Sequence, residues 1–245
     1  MTLQTSELAI ANKCRRIANE QGGRYIKEQI DSDIWTPKRL SNDWFLSLEF
    51  WFTKSFFRGR RDDISENFMN KAISTIKQFG KNKLFYTPDQ EIESALIKAG
   101  VNNHIDRKMV IQSINFIKQI NNHNIVTYCL KEIKLNQTIK VFNELKTIYG
   151  IGPKLACFFL RDLCFVYKVE PSSKEELICI QPVDTWVRKV AIKLGIPGCT
   201  EDKHETEVIE PIVSFCLKHK ISPLMFNCGA WRTGARSFEL LLESL

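Results

Sequence analysis

An amine, two glycines and a carboxylate stand where they could act together. Lys154 closes the run Gly150-Ile151-Gly152-Pro153-Lys154, and thirty residues later Asp184 sits in Pro182-Val183-Asp184-Thr185. A cation in the first turn of a helix opposes the helix dipole, so stability alone would not place it there. The same field, with partial burial, favours the neutral amine, and a neutral amine can attack carbon and form a Schiff base. Asp184 is placed to cap the helix that follows, worth about 1 kcal/mol. An anion held there could also support positive charge developing on a sugar or accept a proton.

The hairpin supplies a third component. Gly150 and Gly152 can take backbone angles closed to other residues and let a phosphate approach the main chain. Pro153 suits the first helical position but has no N–H to give, so the donors at the helix start would be Gly152, Lys154 and Leu155. Such a grip is blind to base sequence. A phosphate grip, an amine nucleophile and a lone carboxylate are the parts needed to cut a base from DNA.

Helix signals position these groups. Asn136 to Ile148 is amphipathic and leads into the hairpin; Lys154 to Val166 is apolar on nearly every face, as a central helix should be. Upstream, Ser41 or Asn42 is expected to cap a helix carrying Trp44, Phe45, Leu48, Trp51 and Phe52. Ser65 opens another helix that Gly80 ends. Thr87-Pro88-Asp89-Gln90 reads as an N-cap, a first-turn proline and a capping-box partner for a helix ending at Gly100. Arg107 to Ile120 is amphipathic. Lys168 to Glu176 is polar and reads as a surface loop or insertion. Thr185 to Leu194 is helical, and two more helices follow near 203–219 and 223–243, where Gly229 and Gly234 imply close packing on a neighbour or a ligand. Strand signals are scarce, and the expected class is all-α.

Composition sets limits. The 245 residues are 44% hydrophobic, enough for a full core, and carry a net charge of +7, which suits a polyanionic partner. Cations cluster from Lys54 to Arg61, interleaved with aromatics, and again at Arg188-Lys189, so Arg60, Arg61, Arg188 and Lys189 are candidate phosphate contacts. No apolar run is long enough to span a bilayer, and the first residues lack a signal-peptide pattern. Eight cysteines occur without a C-x-x-C, mostly in apolar company, and four histidines lack ligand spacing. Buried free thiols, and no metal, are the expectation.

The run Gly150-Ile151-Gly152-Pro153-Lys154-Leu155-Ala156 resembles the G-V-G-x-K-x-A hairpin of the helix-hairpin-helix–GPD superfamily of DNA glycosylases. Pro182-Val183-Asp184-Thr185 resembles that family's P-V-D-T segment. Lys98-Ala99-Gly100-Val101 with Arg107-Lys108 is similar to its helix-glycine-loop-helix stretch. The likeness spans roughly residues 41–245 and is specific only at 148–156 and 181–195. It implies two helical lobes with DNA between them: one of residues 41–166, with the hairpin at about 136–166, and one of residues 1–40 plus 167–245 carrying Asp184. It implies a flipped nucleotide, a Schiff base at Lys154, β-elimination, and base release assisted by Asp184.

The chain also departs from the family. Tyr149 replaces the usual proline, Trp186 stands where many members have histidine, and the lysine–aspartate gap is long. Cys199, Cys216 and Cys228 are too few and too dispersed for the C-terminal iron–sulfur run, so no cluster is expected. That shifts the likeness toward the cluster-free 8-oxoguanine glycosylases, and Trp186, Phe226 and Trp231 are candidates to line a base pocket. The resulting expectation is a monomeric bifunctional glycosylase and lyase acting on damaged double-stranded DNA, 8-oxoguanine first. It would work in the cytoplasm at the nucleoid, or in a nucleus, without a cofactor other than a monovalent cation that could sit at the hairpin. Two other readings stay open: a helix-hairpin-helix module that binds DNA without catalysis, and a monofunctional glycosylase for another damaged base.

Overall fold

The structure, a computed structural model, describes residues 3–30 and 33–243, and among them there is helix and turn but no strand. The class is all-α. In chain order the helices are α1 (Leu3–Arg16), a π-helical segment (Ile17–Gly22), α2 (Gly23–Gln29), α3 (Pro37–Asn42), α4 (Trp44–Ser55), α5 (Asp62–Phe79), α6 (Lys81–Tyr86), α7 (Asp89–Lys98), α8 (His104–Gln119), a 3-10 turn (Asn121–His123), α9 (Ile125–Lys134), α10 (Thr138–Leu145), α11 (Pro153–Val166), α12 (Lys174–Ile178), α13 (Thr185–Leu194), α14 (Ile209–Lys218) and α15 (Pro223–Glu243). They form two compact units: residues 35–169, and residues 1–34 with 170–245. The sequence reading set the boundaries at 40/41 and 166/167.

In the unit of residues 35–169, α4 and α11 make the centre. Trp51 is fully buried, stacks edge-on against Phe159 at 4.9 Å, and donates its indole N–H to Ser113 Oγ at 2.9 Å. That bond satisfies the one polar atom of a large apolar side chain. Inside α11 two charges are buried as well. Asp162 accepts from Arg161 at 2.8 Å and pairs with Lys54 at 2.7 Å. Burial alone would raise the Asp162 carboxyl, but Arg161 and Lys54 outweigh it and hold it below the ordinary carboxylate value.

Several local starts differ from the sequence reading. Ser41 and Asn42 do not cap α4, because Thr36-Pro37 opens a short helix that consumes both; Thr36 Oγ1 accepts from Arg39 N–H, and Asp43 then caps α4 through the N–H groups of Phe45 and Leu46. Thr87 does not cap α7. Its hydroxyl donates back to the Lys83 carbonyl at 2.8 Å and closes α6, leaving Pro88 at the N-cap. α5 begins at Asp62, three residues before Ser65, and α14 begins only at Ile209. Within the polar 168–176 stretch, Ser173 caps α12.

The other unit is built on α15, which packs on the π-helical segment and on α13. A Cβ at Gly229 would lie 2.3 Å from the Ile17 carbonyl oxygen, and one at Gly234 would lie 2.7 Å from Trp186 Cβ. Both glycines therefore mark neighbour packing. Ile17, Val187, Val190, Ile212, Phe215 and Phe226 belong to the core that results.

Candidate functional site

The turn between α10 and α11 is fixed from beneath. Gly150 has φ +78°, the left-handed region, and a Cβ there would lie 2.1 Å from Arg58 Nη1 and 3.0 Å from Ile105 Cγ2. Arg58 donates to the Gly150 carbonyl at 3.4 Å, and Gln112 Oε1 accepts from the Tyr149 N–H at 2.6 Å. Ile148 and Ile151 are buried and anchor the turn. Gly152 has φ −86° and ψ 174°, angles open to any residue, so the left-handed role expected of both glycines belongs to Gly150 alone. Gly152 contributes space: a Cβ there would meet nothing within 4 Å.

The start of α11 is open in a way that those of α4, α5, α7, α8, α9, α13, α14 and α15 are not. Side chains cap α4 (Asp43), α8 (Asn103), α9 (Asn124) and α13 (Asp184). Ser222 and Glu170 accept from the first turn of α15, while α5, α7 and α14 place acidic residues in theirs. Set beside those eight helices, α11 has neither device. The N–H groups of Gly152, Lys154 and Leu155 find no partner among the described residues, and Leu155 is half-buried beside them. Unsatisfied donors at a helix start, with the positive end of its dipole, attract an anion.

Lys154 stands in that first turn. The sequence reading expected partial burial; the side chain is exposed, since Pro153 and Lys154 face solvent while Ala156 and Cys157 turn inward. Its ammonium makes no hydrogen bond or ion pair among the described residues.

Asp184 belongs to the other unit and is nearly buried, 9% exposed. One oxygen, Oδ1, accepts from both Trp186 N–H and Val187 N–H at 3.0 Å. The second oxygen has no partner among the described residues. One half of the carboxylate caps α13 and the other half is available. Around it, Trp186 is 37% exposed with Lys189 Nζ 5.0 Å above its ring, and Lys189 is itself exposed.

Several residues expected to contact DNA or a base engage other groups of the protein. Arg60 is not a free surface cation: it donates to buried Asp106 at 2.6 Å, to Ser65 Oγ at 3.0 Å and to the Phe56 carbonyl at 3.2 Å. Arg58 binds the other oxygen of Asp106, so the loop after α4 is clamped to α8 and the cation run is largely structural. Only Arg61 projects outward, 79% exposed and paired with Asp63. Arg188 donates to the carbonyls of Glu201 and Lys203, which ties down the loop after α13. Phe226 is fully buried in the core of its unit and cannot line a pocket. Trp231 packs on that core, edge-on to Tyr25 at 5.2 Å.

Gln181 was not foreseen. It is 1% exposed, three residues before Asp184, and neither its amide nitrogen nor its oxygen has a partner. Composition and periodicity carry no signal for this; only the packed structure can reveal an orphaned group. All eight cysteines are buried free thiols, and among the described residues no group of three or more His, Cys, Asp or Glu could hold a metal ion. No helix among them is long and apolar enough to cross a membrane. No family model, curated protein or solved structure matches the chain.

Proposed function

We propose that this protein is a DNA glycosylase of the helix-hairpin-helix type with an associated lyase step, acting on an oxidised purine in duplex DNA. The observation that carries the reading is the open start of α11, with three unpartnered N–H groups and the unpaired ammonium of Lys154 in the same turn. The amides would grip a backbone phosphate. Lys154, once deprotonated, would attack C1′ of the damaged nucleotide as the N-glycosidic bond breaks and the base leaves with the bonding pair and a proton. Asp184, in the segment that resembles the family's P-V-D-T, would stabilise the positive charge developing on the sugar, and the proton lost by the amine would pass to water. The C1′–O4′ bond would then break, with its electron pair and a proton going to O4′, and the resulting imine would lose its C2′ proton and expel the 3′ phosphate.

For the base itself, Trp186, exposed beside Asp184, is the leading aromatic candidate, with partly buried Trp231 the second. A panel of duplexes carrying 8-oxoguanine, thymine glycol, uracil or an alkylated purine ranks substrates, with 8-oxoguanine expected first.

A second reading draws on the exposure of Lys154, which also suits a simple phosphate contact in a non-catalytic binding module. Borohydride separates the two. Reaction on an 8-oxoguanine or abasic duplex in its presence should trap protein on DNA. Lys154→Gln should lose the trapped species and strand cleavage while keeping much of the DNA affinity. No trapping by the wild type, with binding intact, favours the module.

A further inference from the structure

The tip of the turn carries a side chain that neither the packing nor the proposed chemistry uses. Tyr149 is 38% exposed, its hydroxyl has no partner, and Lys108 Nζ lies 4.0 Å from its ring centroid. Lys108 is exposed too and pairs with no carboxylate. Both are held by α8. Ile105 and Gln112, three residues before and four after Lys108 on the same helical face, meet the turn at Gly150 and at the Tyr149 N–H. Asp106, the acid nearest in sequence, is buried and neutralised by Arg58 and Arg60. The phenol and the ammonium are therefore presented outward together, beside the open amides of α11, on a rigid base with no free negative charge from these elements.

We propose that Lys108 and Tyr149 form a second backbone contact, binding a phosphate of the same DNA strand that the α11 amides grip. This rests on the DNA reading above and extends it from one phosphate to a strand track across α8 and the turn. Lysine and tyrosine are both common phosphate donors, and neither would read sequence here. The cation over the ring keeps the tyrosine from folding back onto the protein, so the hydroxyl is already placed when DNA arrives.

The test measures binding of an undamaged duplex across a salt series, with thermal melting of each protein. Lys108→Gln should weaken binding several-fold and lower the salt slope by about one, the signature of one lost phosphate contact. Tyr149→Phe keeps the ring and should weaken binding without moving the melting temperature, while Lys108→Arg should restore both affinity and slope. Wild-type affinity and slope in Lys108→Gln and Tyr149→Phe, with the wild type binding duplex, overturn the second contact and leave the glycosylase reading standing. Losses that track lower melting temperatures also overturn it, since Lys108 would then only brace the turn. Failure of the wild type to bind duplex at all defeats both readings.

Discussion

Substitution at Asp184 can separate its helix cap from the catalytic role proposed for it, because the cap uses only one of its two oxygens. Oδ1 holds the Trp186 and Val187 N–H groups at 3.0 Å each, and the other oxygen is free. Asparagine keeps an oxygen for the cap and loses the charge. Asp184→Asn should therefore cost only the interaction with the α13 dipole, about 0.5 kcal/mol. Asp184→Ala also loses the cap, about 1 kcal/mol more. For a chain of this size 1 kcal/mol moves the melting temperature by about 2–4 °C, so alanine should melt clearly below asparagine. Activity should order differently. Removing a preorganised charge from the reacting centre costs on the order of 10²-fold, about 2.7 kcal/mol of barrier, and both variants lose it. The assay is single-turnover base release from an 8-oxoguanine duplex under saturating protein, with thermal melts of all three proteins. Near-wild-type excision by Asp184→Asn, with Asp184→Ala failing in step with its melting temperature, would refute the catalytic role and leave a cap alone.

The remaining expectations concern the groups whose roles the packing defines. Arg60→Ala deprives buried Asp106 of one of its two cations and should destabilise by about 3–5 kcal/mol in urea melts, whereas Arg61→Ala, at an exposed pair, should change stability by less than about 0.5 kcal/mol. Burial pushes the Cys14 thiol up to about 12 and Cys199 up to about 11. Ellman's reagent at pH 8 should therefore find almost no reactive thiol in the folded protein and all eight in guanidinium.

What the sequence made legible follows from range. Apolar periodicity located α4, α5, α8, α11 and α15, whose signals extend over many residues. Six-residue helices such as α3 and α6 offer barely more than one turn of pattern, and missing them shifted the caps of α4 and α7. α9 was passed over although Asn124 caps it, since its apolar, β-branched start looks little different from a loop edge. The partners of the cation run are hidden for another reason. Arg58 and Arg60 meet Asp106 across 48 and 46 positions, and Lys54 meets Asp162 across a larger gap still. A charge cluster is visible in a sequence; the carboxylates that neutralise it are not. Spacing likewise does not tell which face of α15 turns inward, where Phe226 is fully buried.

The same distinction explains why the hairpin signal is worth more than the charge count. A cation's use depends on distant partners, but a helix start must satisfy its own N–H groups with what lies within a few residues. Asp184 meets that need at α13 with one oxygen and keeps the other. At α11 the local residues are Gly152, Pro153 and Lys154, none of which can accept from those N–H groups through a side chain. A sequence that caps or acidifies its other described long helix starts and leaves this one open, with a lysine where the dipole disfavours it, has a local deficit that an external anion would fill. In the function proposed above, filling it with a nucleic-acid phosphate would bring a sugar to the amine. That link, from an unsatisfied helix start to the atom Lys154 would attack, turns the hairpin from a turn signal into a functional one, and it stands or falls with the trapped lysine.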